Sequence, residues 1–274
     1  MGLRDYGIIS PDKYKERRRQ CRMLTVLVLL LMCTTGTGIA VTTEVNISSG
    51  DISITDTGYT VGSTFTPWDA NDHALTITGA STSNHITVEN GTCTLTLSGV
   101  TIAPPDEPAI SVHARDGGGA KVTLIVTGTN ELKGGIGCAA IEVKAGWEDT
   151  DWSAKNSGSL EIQGDGTLNV TGGAATQDVG GGAGIGGNGL GKSVSTDGWN
   201  FGSILLTDSF TGMIYANGGY PYTKNFIGGG AGIGGGGATA NSGDCSGHIS
   251  ICNGTLIAYG GRGMYSSGAG IGTG

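Results

Sequence analysis

The stretch GSLEIQGDGTLNVTGG, residues 158–173, decides the fold. Leu160 and Ile162 alternate with polar residues before a Gly-Asp-Gly turn, and Leu168 and Val170 do the same after it. Period-two alternation is typical of a β-strand with one buried face, and Asp and Gly are typical turn residues. The stretch therefore predicts two short strands that are joined by a tight turn and followed by a Gly-Gly pair.

The same unit recurs along the C-terminal part of the chain. GSILLTDSFTGMIYANGG at 202–219 and GHISICNGTLIAYGG at 247–261 repeat the strand pair, and a GAGIG segment follows each copy, at 182–187, 230–235 and 268–274. Self-similarity of this kind is the signature of a repeat architecture. Its Ala-Gly-Ile-Gly core fits a tight corner or a short third strand, with Ile185, Ile233 and Ile271 as inward side chains.

Pairs of inward-facing apolar residues extend the repeat towards the N-terminus. These pairs are Ile52/Ile54, Leu75/Ile77, Leu95/Leu97, Val122/Leu124, Leu160/Ile162, Ile204/Leu206 and Ile249/Ile251. One hairpin cannot bury its apolar face alone, whereas stacked coils of about 20 residues can. We therefore predict an all-β fold, a single parallel β-helix of about six to eight coils that begins near Thr43, with loops inserted after the second strand.

Glycine content makes short glycine motifs weak evidence. Glycine accounts for 54 of the 274 residues, and only 6 prolines are present, so a collagen helix is excluded. Residues 186–193 match the phosphate-binding pattern G-x-x-x-x-G-K-S, but the preceding apolar strand and the following helix that this chemistry needs are missing. The sequence therefore predicts a solenoid corner at this position and no nucleotide cofactor.

The N-terminal region resembles an export signal. Residues 1–22 are basic, and the uncharged apolar stretch from Met23 to Val41 ends in small residues, which predicts a signal peptide core at 23–40 with cleavage after Ala40. The alternative is an uncleaved helical anchor, because such a stretch is just long enough to span a bilayer. The repeat domain, 41–274 with GAGIGG units from about 158, is then secreted or located at the extracellular cell surface. The alternative is a type II membrane-anchored protein with the repeat domain outside.

Charge and cysteine content limit the partners. The first 40 residues hold seven basic and three acidic residues of the totals of 15 and 23, which leaves the remainder with a net charge of −12. Such a surface repels nucleic acid, and the membrane is contacted only through the N-terminal segment. An oxidising compartment permits disulfides, and Cys245 and Cys252 are close enough in sequence to pair. No metal-ligand spacing is present, although an acidic solenoid allows incidental calcium binding.

Several segments together resemble a known family. CTLTLSGVTI (93–102), EPAISV (107–112), AKVTLIVTGTNELKGG (120–135), CAAIEV (138–143) and the units from 158 onwards resemble, in this order, the carbohydrate-binding-domain-like, glycine-rich β-helical repeats of secreted and cell-surface proteins. This resemblance covers about 94–274 and implies a right-handed parallel β-helix outside the cell. It implies no defined sugar-contacting residue.

The densest acidic and aromatic cluster is the candidate sugar site. GWEDTDW places Asp149 and Asp151 between Trp147 and Trp152, so rings could stack on a pyranose while carboxylates accept hydrogen bonds from its hydroxyls. The alternative is a solvated loop between coils. The other loop aromatics, among them Phe201 and Tyr220, either build a binding surface or fold back onto the core. The four histidines are predicted to be surface or edge residues.

Four N-glycosylation sequons are present, at Asn46, Asn90, Asn169 and Asn253, the last two in predicted strands. They matter only in a eukaryotic host.

The predicted function is non-enzymatic binding of carbohydrate, or of a surface protein as an adhesin. One alternative is a structural spacer or filament segment, which would stack on itself through an uncapped C-terminal coil. The other is a polysaccharide lyase or glycosidase built on a β-helix, which needs two carboxylates placed across one bond.

Overall fold

A computed structural model describes residues 42–69, 73–115, 118–146, 156–190, 200–220, 228–238, 247–263 and 267–274. The predicted export segment, 1–40, lies outside these residues. The described part of the chain is all-β, with one short 3₁₀ helix, Ile47–Ser49. Within it, no helix is long and apolar enough to cross a membrane.

Three sheets contain all the strands of the described residues, and from Ala74 onwards the chain visits the first, second and third sheet in turn. The first sheet consists of seven parallel strands: β1 (Thr43–Asn46), β5 (Ala74–Thr78), β8 (Thr92–Ser98), β11 (Lys121–Thr127), β14 (Ser159–Gly164), β17 (Ser203–Phe210) and β20 (His248–Ile251). The second sheet consists of six: β6 (Ala80–Ser81), β9 (Thr101–Ile102), β12 (Thr129–Lys133), β15 (Thr167–Thr171), β18 (Met213–Asn217) and β21 (Thr255–Tyr259).

The third sheet has seven parallel strands and an antiparallel extension. Its parallel strands are β2 (Ile52–Ile54), β7 (Ile86–Val88), β10 (Ile110–Val112), β13 (Ile141–Val143), β16 (Ile185–Gly186), β19 (Ile233–Gly234) and β22 (Ile271–Gly272). The hairpin β3 (Gly58–Val61) and β4 (Thr64–Pro67) pairs with the edge of β2. We call one passage around the sheets a coil, and the described residues form seven coils, of which the first has no strand in the second sheet. These coils are compatible with the predicted parallel β-helix.

The core lies between the sheets because alternate residues of the stacked parallel strands point inward. In the first sheet, Leu95 pairs with Leu124, which pairs with Ile162, and all three are fully buried. Ile185 and Ile233 of the GAGIGG segments are also fully buried and pair with each other in the third sheet. Burial of such a side chain contributes about 1.5–3 kcal/mol, so the stacked rows stabilise the fold coil by coil.

One of the predicted inward pairs is assigned to the wrong strand, and the register between two others differs from the order of the pairs. Ile52 and Ile54 belong to the third sheet, where they pair with β7, and the first strand of the first coil is β1 with Val45 inward. Val122 lies opposite Cys93 rather than Leu95, so the predicted pairs of β8 and β11 are offset by two residues.

Loops are inserted at two places in the coil. The prediction that they follow only the second strand is wrong, because the segments that leave β13, β16 and β19 follow the third strand. Sequence alternation could not reveal this, since β16 and β19 are two residues long and carry one inward side chain each.

A column of glycines allows successive coils to approach closely. Gly173, Gly219 and Gly261 end the second strand region in three consecutive coils, and the Gly219 amide donates to the Gly182 carbonyl at 2.8 Å. A Cβ atom added to Gly219 would overlap the carbonyl oxygen of Gly173, and one added to Gly261 would overlap that of Gly219. Only glycine fits where backbones meet at this distance.

Candidate functional site

A buried polar pair occupies the outer face of the third sheet. Ile110 and Val112 point into the core, as do Ile141 and Val143, so Ser111 and Glu142 point outward from neighbouring strands and lie opposite each other. The Ser111 hydroxyl donates a short hydrogen bond to Oε2 of Glu142. Both side chains are buried although they face away from the core, which means that another segment covers them.

Asn188 provides that cover. Its Nδ2 donates to Oε1 of Glu142 at 2.7 Å, and its Oδ1 accepts from the backbone amide of Ala139, also at 2.7 Å. The amide is therefore fixed in one orientation, because a flipped side chain would place a donor against a donor. The first residues after β16 are thus held against β13, 46 residues earlier in sequence.

A row of three charged or titratable side chains follows the strand ends of the same sheet. Glu89, His113 and Lys144 come directly after β7, β10 and β13, in three consecutive coils. His113 Nδ1 lies 3.2 Å from Oε2 of Glu89, and Lys144 Nζ lies 3.1 Å from His113 Nε2. We call these three residues together with Ser111, Glu142 and Asn188 the polar row.

The surroundings of His113 favour its neutral form. Burial lowers the pKa of its imidazole from the usual 6.5, and the Lys144 ammonium lowers it further, while the carboxylates of Glu89 and Glu142 partly oppose the shift. A neutral ring with its proton on Nδ1 donates to Glu89 and accepts from Lys144 at Nε2, so both contacts are satisfied by one tautomer.

The two ends of the row are exposed, and they offer a donor and an acceptor. Lys144 also lies 3.7 Å from Oε2 of Glu142, and its side chain is 42% exposed, as is that of Glu89. An ammonium has three N–H donors, and a carboxylate has two oxygens. After the contacts with His113 and Glu142, donor capacity remains at Lys144, and acceptor capacity remains at Glu89.

The base of the predicted sugar-binding loop lies beside the polar row. The Gly146 amide donates to the Ser157 hydroxyl at 2.9 Å, and the Gly158 amide donates to the Lys144 carbonyl at 2.8 Å. The loop between these residues therefore leaves and rejoins the coil next to Lys144. The four predicted sugar contacts, Trp147, Asp149, Asp151 and Trp152, lie outside the described residues.

The sequons occupy different environments. Asn46 accepts from the Ser48 amide, which is part of its own sequon, at 2.9 Å, and Asn90 accepts from the Asp56 amide at 2.8 Å. Asn169 lies in β15, as predicted, on the outer face of the second sheet. The predicted strand position of Asn253 is wrong, because this residue is exposed in the turn after β20 and donates to the Asp208 carbonyl at 3.1 Å.

The described cysteines are poorly suited to nucleophilic chemistry. Burial raises the pKa of the Cys93 thiol to about 12, and burial with nearby carboxylates raises that of Cys138 to about 12. Since the thiolate is the reactive form, both thiols are unreactive at neutral pH. Cys252 is exposed after β20, and its predicted partner Cys245 lies outside the described residues.

The aromatic residues divide between core and surface. Phe201 is buried and its backbone bridges to Lys144, so this ring folds back onto the core, whereas Tyr220 is 60% exposed. Trp199, Tyr222, Phe226 and Tyr265 lie outside the described residues. Sequence reasoning did not single out Trp68, which is stacked on His73 with ring centroids 5.2 Å apart and donates to the Thr55 carbonyl at 2.8 Å.

Metal and phosphate chemistry receive no support from the described residues. Among them, no group of three or more His, Cys, Asp or Glu side chains is placed to hold a metal ion. The described start of the glycine motif, Gly186, belongs to β16, and its Lys192 and Ser193 lie outside the described residues.

Comparison with known proteins gives one finding. Residues 70–179 match a family model described as carbohydrate-binding domain-containing protein. The match contains Glu89, Ser111, His113, Glu142 and Lys144 of the polar row, but it ends before Asn188. No curated protein and no solved structure matches the chain.

Proposed function

We propose that this protein is an exported, non-catalytic carbohydrate-binding protein in which a single seven-coil parallel β-helix carries the binding surface. The matched segment supports the ligand class, and the exposed donor and acceptor of the polar row support the place. The loop that bears Trp147 and Trp152 would add stacking surface beside them.

The observation that carries the proposal is the pairing of Lys144 and Glu89 through His113. Sugar hydroxyls both donate and accept, so a ligand with neighbouring hydroxyls is recognised by a donor and an acceptor held at a fixed separation. His113 fixes that separation, because it contacts both side chains and is only 27% exposed. Preorganised polar groups lose less entropy on binding than free side chains do.

The charge of the domain favours a neutral glycan. A net charge of −12 beyond residue 40 repels anionic ligands, and Lys144 is partly neutralised by Glu142 at 3.7 Å. An uncharged oligosaccharide is not repelled by the net charge, and its binding does not require a cation without a counter-ion.

The hydrogen bonds of Glu142 favour binding over hydrolysis. Glycoside hydrolysis needs two carboxylates that are free to act as acid, base or nucleophile. In the polar row, one oxygen of Glu142 accepts from Asn188 and the other from Ser111, so Glu89 is the carboxylate left for a ligand.

Binding by the full chain to an array of neutral oligosaccharides tests the proposal. Lys144→Met should weaken binding of the best ligand about tenfold, since hydrogen bonds from a charged donor are strong. Lys121→Met removes an exposed lysine from the outer face of the first sheet and should leave affinity unchanged. Trp147→Ala with Trp152→Ala should also weaken binding. Failure of every glycan to bind, or equal affinity for the Lys144 and Lys121 variants, would refute the site.

N-terminal sequencing of the exported protein tests the cellular location. A mature chain that starts at Val41 supports secretion, and an intact N-terminus on a membrane-bound protein supports the anchored form. A chain that is found only in the cytoplasm would contradict export.

A further inference from the structure

The outer face of the second sheet presents aligned columns of side chains over four coils. The middle residues of β12, β15, β18 and β21 are in register and form the column Glu131, Asn169, Tyr215 and Ile257. Their inward neighbours, such as Leu168 and Ile214, are fully buried, so the column points to solvent. Tyr215 is 36% exposed although it lies within a strand.

A second column runs parallel to the first. Lys133, Thr171, Asn217 and Tyr259 are paired in the same four strands, two residues further along each strand. Tyr259 is 63% exposed. Strands lie about 4.8 Å apart and two residues of a strand span about 6.6 Å, so the two tyrosines are diagonal neighbours about 8 Å apart. We call these two columns the tyrosine face.

The polar groups of the tyrosine face have free hydrogen-bonding capacity. Within the part of the chain that the structure describes, the side chains of Asn169, Asn217, Tyr215 and Tyr259 hydrogen-bond to no other protein group. Each asparagine offers two donors and an acceptor, and each tyrosine offers a hydroxyl beside an apolar ring. The face therefore combines rings that can stack with amides that can bind hydroxyls.

Charge on the tyrosine face is balanced. Its charged residues are Glu131 and Lys133, which are of opposite sign and belong to the same strand. The corresponding outer face of the first sheet differs, since β8, β11 and β14 place Thr94, Thr123 and Glu161 in register and supply no ring there. An uncharged ligand with apolar faces and many hydroxyls fits the tyrosine face, and polysaccharides have this chemistry.

We infer that the tyrosine face is a second glycan-binding surface, one that takes a neutral polysaccharide strand across several coils. It shares the ligand class of the proposed function but lies on another sheet than the polar row. Tyr215 and Tyr259 also lie beyond the segment matched by the family model. Either site can therefore fail without the other.

Sedimentation with insoluble polysaccharide tests this inference. The full chain is made in a bacterial host, because N-glycosylation of Asn169 would cover the face, and is mixed with microcrystalline cellulose or with chitin particles. We expect the wild-type chain to bind at least one of them. Tyr215→Ala with Tyr259→Ala should weaken that binding about tenfold, since two stacking rings are removed.

Three control variants keep the outcomes distinct. Tyr220→Ala removes an exposed tyrosine outside the face and should leave binding unchanged. The double Tyr→Phe variant keeps both rings and should retain most of the binding. Lys144→Met, which tests the polar row, should not change sedimentation.

The inference is overturned if the wild-type chain binds neither solid, or if the double alanine variant sediments as wild type does. It is also overturned if Tyr220→Ala is equally impaired, or if only Lys144→Met abolishes binding. If only Lys144→Met abolishes binding, the polar row is the glycan site and the tyrosine face is not.

Discussion

Replacement of Glu142 tests how the polar row is held together. Glu142→Ala removes the acceptor of Asn188 Nδ2 and of the Ser111 hydroxyl, and it removes the ion-pair partner of Lys144. Glu142→Gln keeps one acceptor oxygen at nearly the same place, so the two variants separate lost hydrogen bonds from lost charge.

The expected magnitude follows from those contacts. A buried polar group left without its partner costs about 1–3 kcal/mol. Ser111 is buried but its hydroxyl can rotate, Asn188 is half-buried, and Lys144 is exposed enough for its ion pair to contribute about 0–1 kcal/mol. We therefore expect Glu142→Ala to lower the free energy of unfolding by about 2–4 kcal/mol.

Glu142→Gln should cost only about 1 kcal/mol. Its carbonyl oxygen can face Asn188, whose orientation is fixed by the Ala139 amide at 2.7 Å, and its NH₂ group can face the hydroxyl of Ser111. Lys144 then loses its ion pair and moves towards solvent.

Urea unfolding and amide hydrogen exchange provide the measurements. The amide of Ala139 should exchange faster in Glu142→Ala, because Asn188 is no longer held, and little faster in Glu142→Gln. Glu131→Ala, an exposed position in a strand, should change stability by less than about 0.5 kcal/mol. The reasoning is refuted if Glu142→Ala is as mild as this control, or if glutamine is as costly as alanine.

Three further predictions concern the core, the glycine column and pH. Leu124→Ala should lower the free energy of unfolding by about 2–5 kcal/mol in urea titrations, because the fully buried Leu124 would leave a cavity; equal loss for the outward-facing Ile125→Ala would contradict this. Gly219→Ala should destabilise the chain by more than 1 kcal/mol, or prevent it from folding, because its Cβ overlaps the Gly173 carbonyl; a wild-type urea midpoint would exclude the close contact. Burial lowers the pKa of His113 from 6.5, so as the pH falls the imidazole takes up its proton in the unfolded chain before it does so in the folded chain. The contribution of His113 to the free energy of unfolding is therefore complete above about pH 6.5 and falls as the pH decreases below it. If His113→Gln shows the same decline in urea titrations, this residue is not the cause.

The sequence allowed much of the fold to be predicted because the rule of alternation is local. Leu160, Ile162, Leu168 and Val170 show which face of each strand is buried without any knowledge of neighbouring strands, and all four are buried. The isolated isoleucine of GAGIGG was likewise recognisable as an inward residue.

Register between coils was harder to predict. The strands β8 and β11 each place three apolar side chains inward, Cys93, Leu95 and Leu97 against Val122, Leu124 and Val126. Shifts of two residues keep apolar residues facing inward, so alternation alone cannot choose between registers. Ile52 and Ile54 were misassigned for a related reason, since ISI has the same pattern in any of the three sheets.

The polar row was not predictable from local patterns. Glu142 and Asn188 are 46 residues apart, and His113 and Lys144 are 31 apart. These distances become short only because the coils stack, and nothing near His113 in sequence marks it as different from the other histidines. The four predicted sugar contacts, by contrast, form a compact cluster in the sequence itself. Their position relative to the polar row stays a prediction.

The glycine column has a consequence for how the chain reaches its native state. A coil that paired two residues out of step would bring a side chain, such as that of Asn217, to the place where Gly219 meets the Gly173 carbonyl, and that contact admits no Cβ atom. Coils misaligned in this way are therefore disfavoured by steric overlap. In a chain whose repeats resemble one another, the steric overlap at the glycine column destabilises misaligned registers that would still bury their apolar side chains.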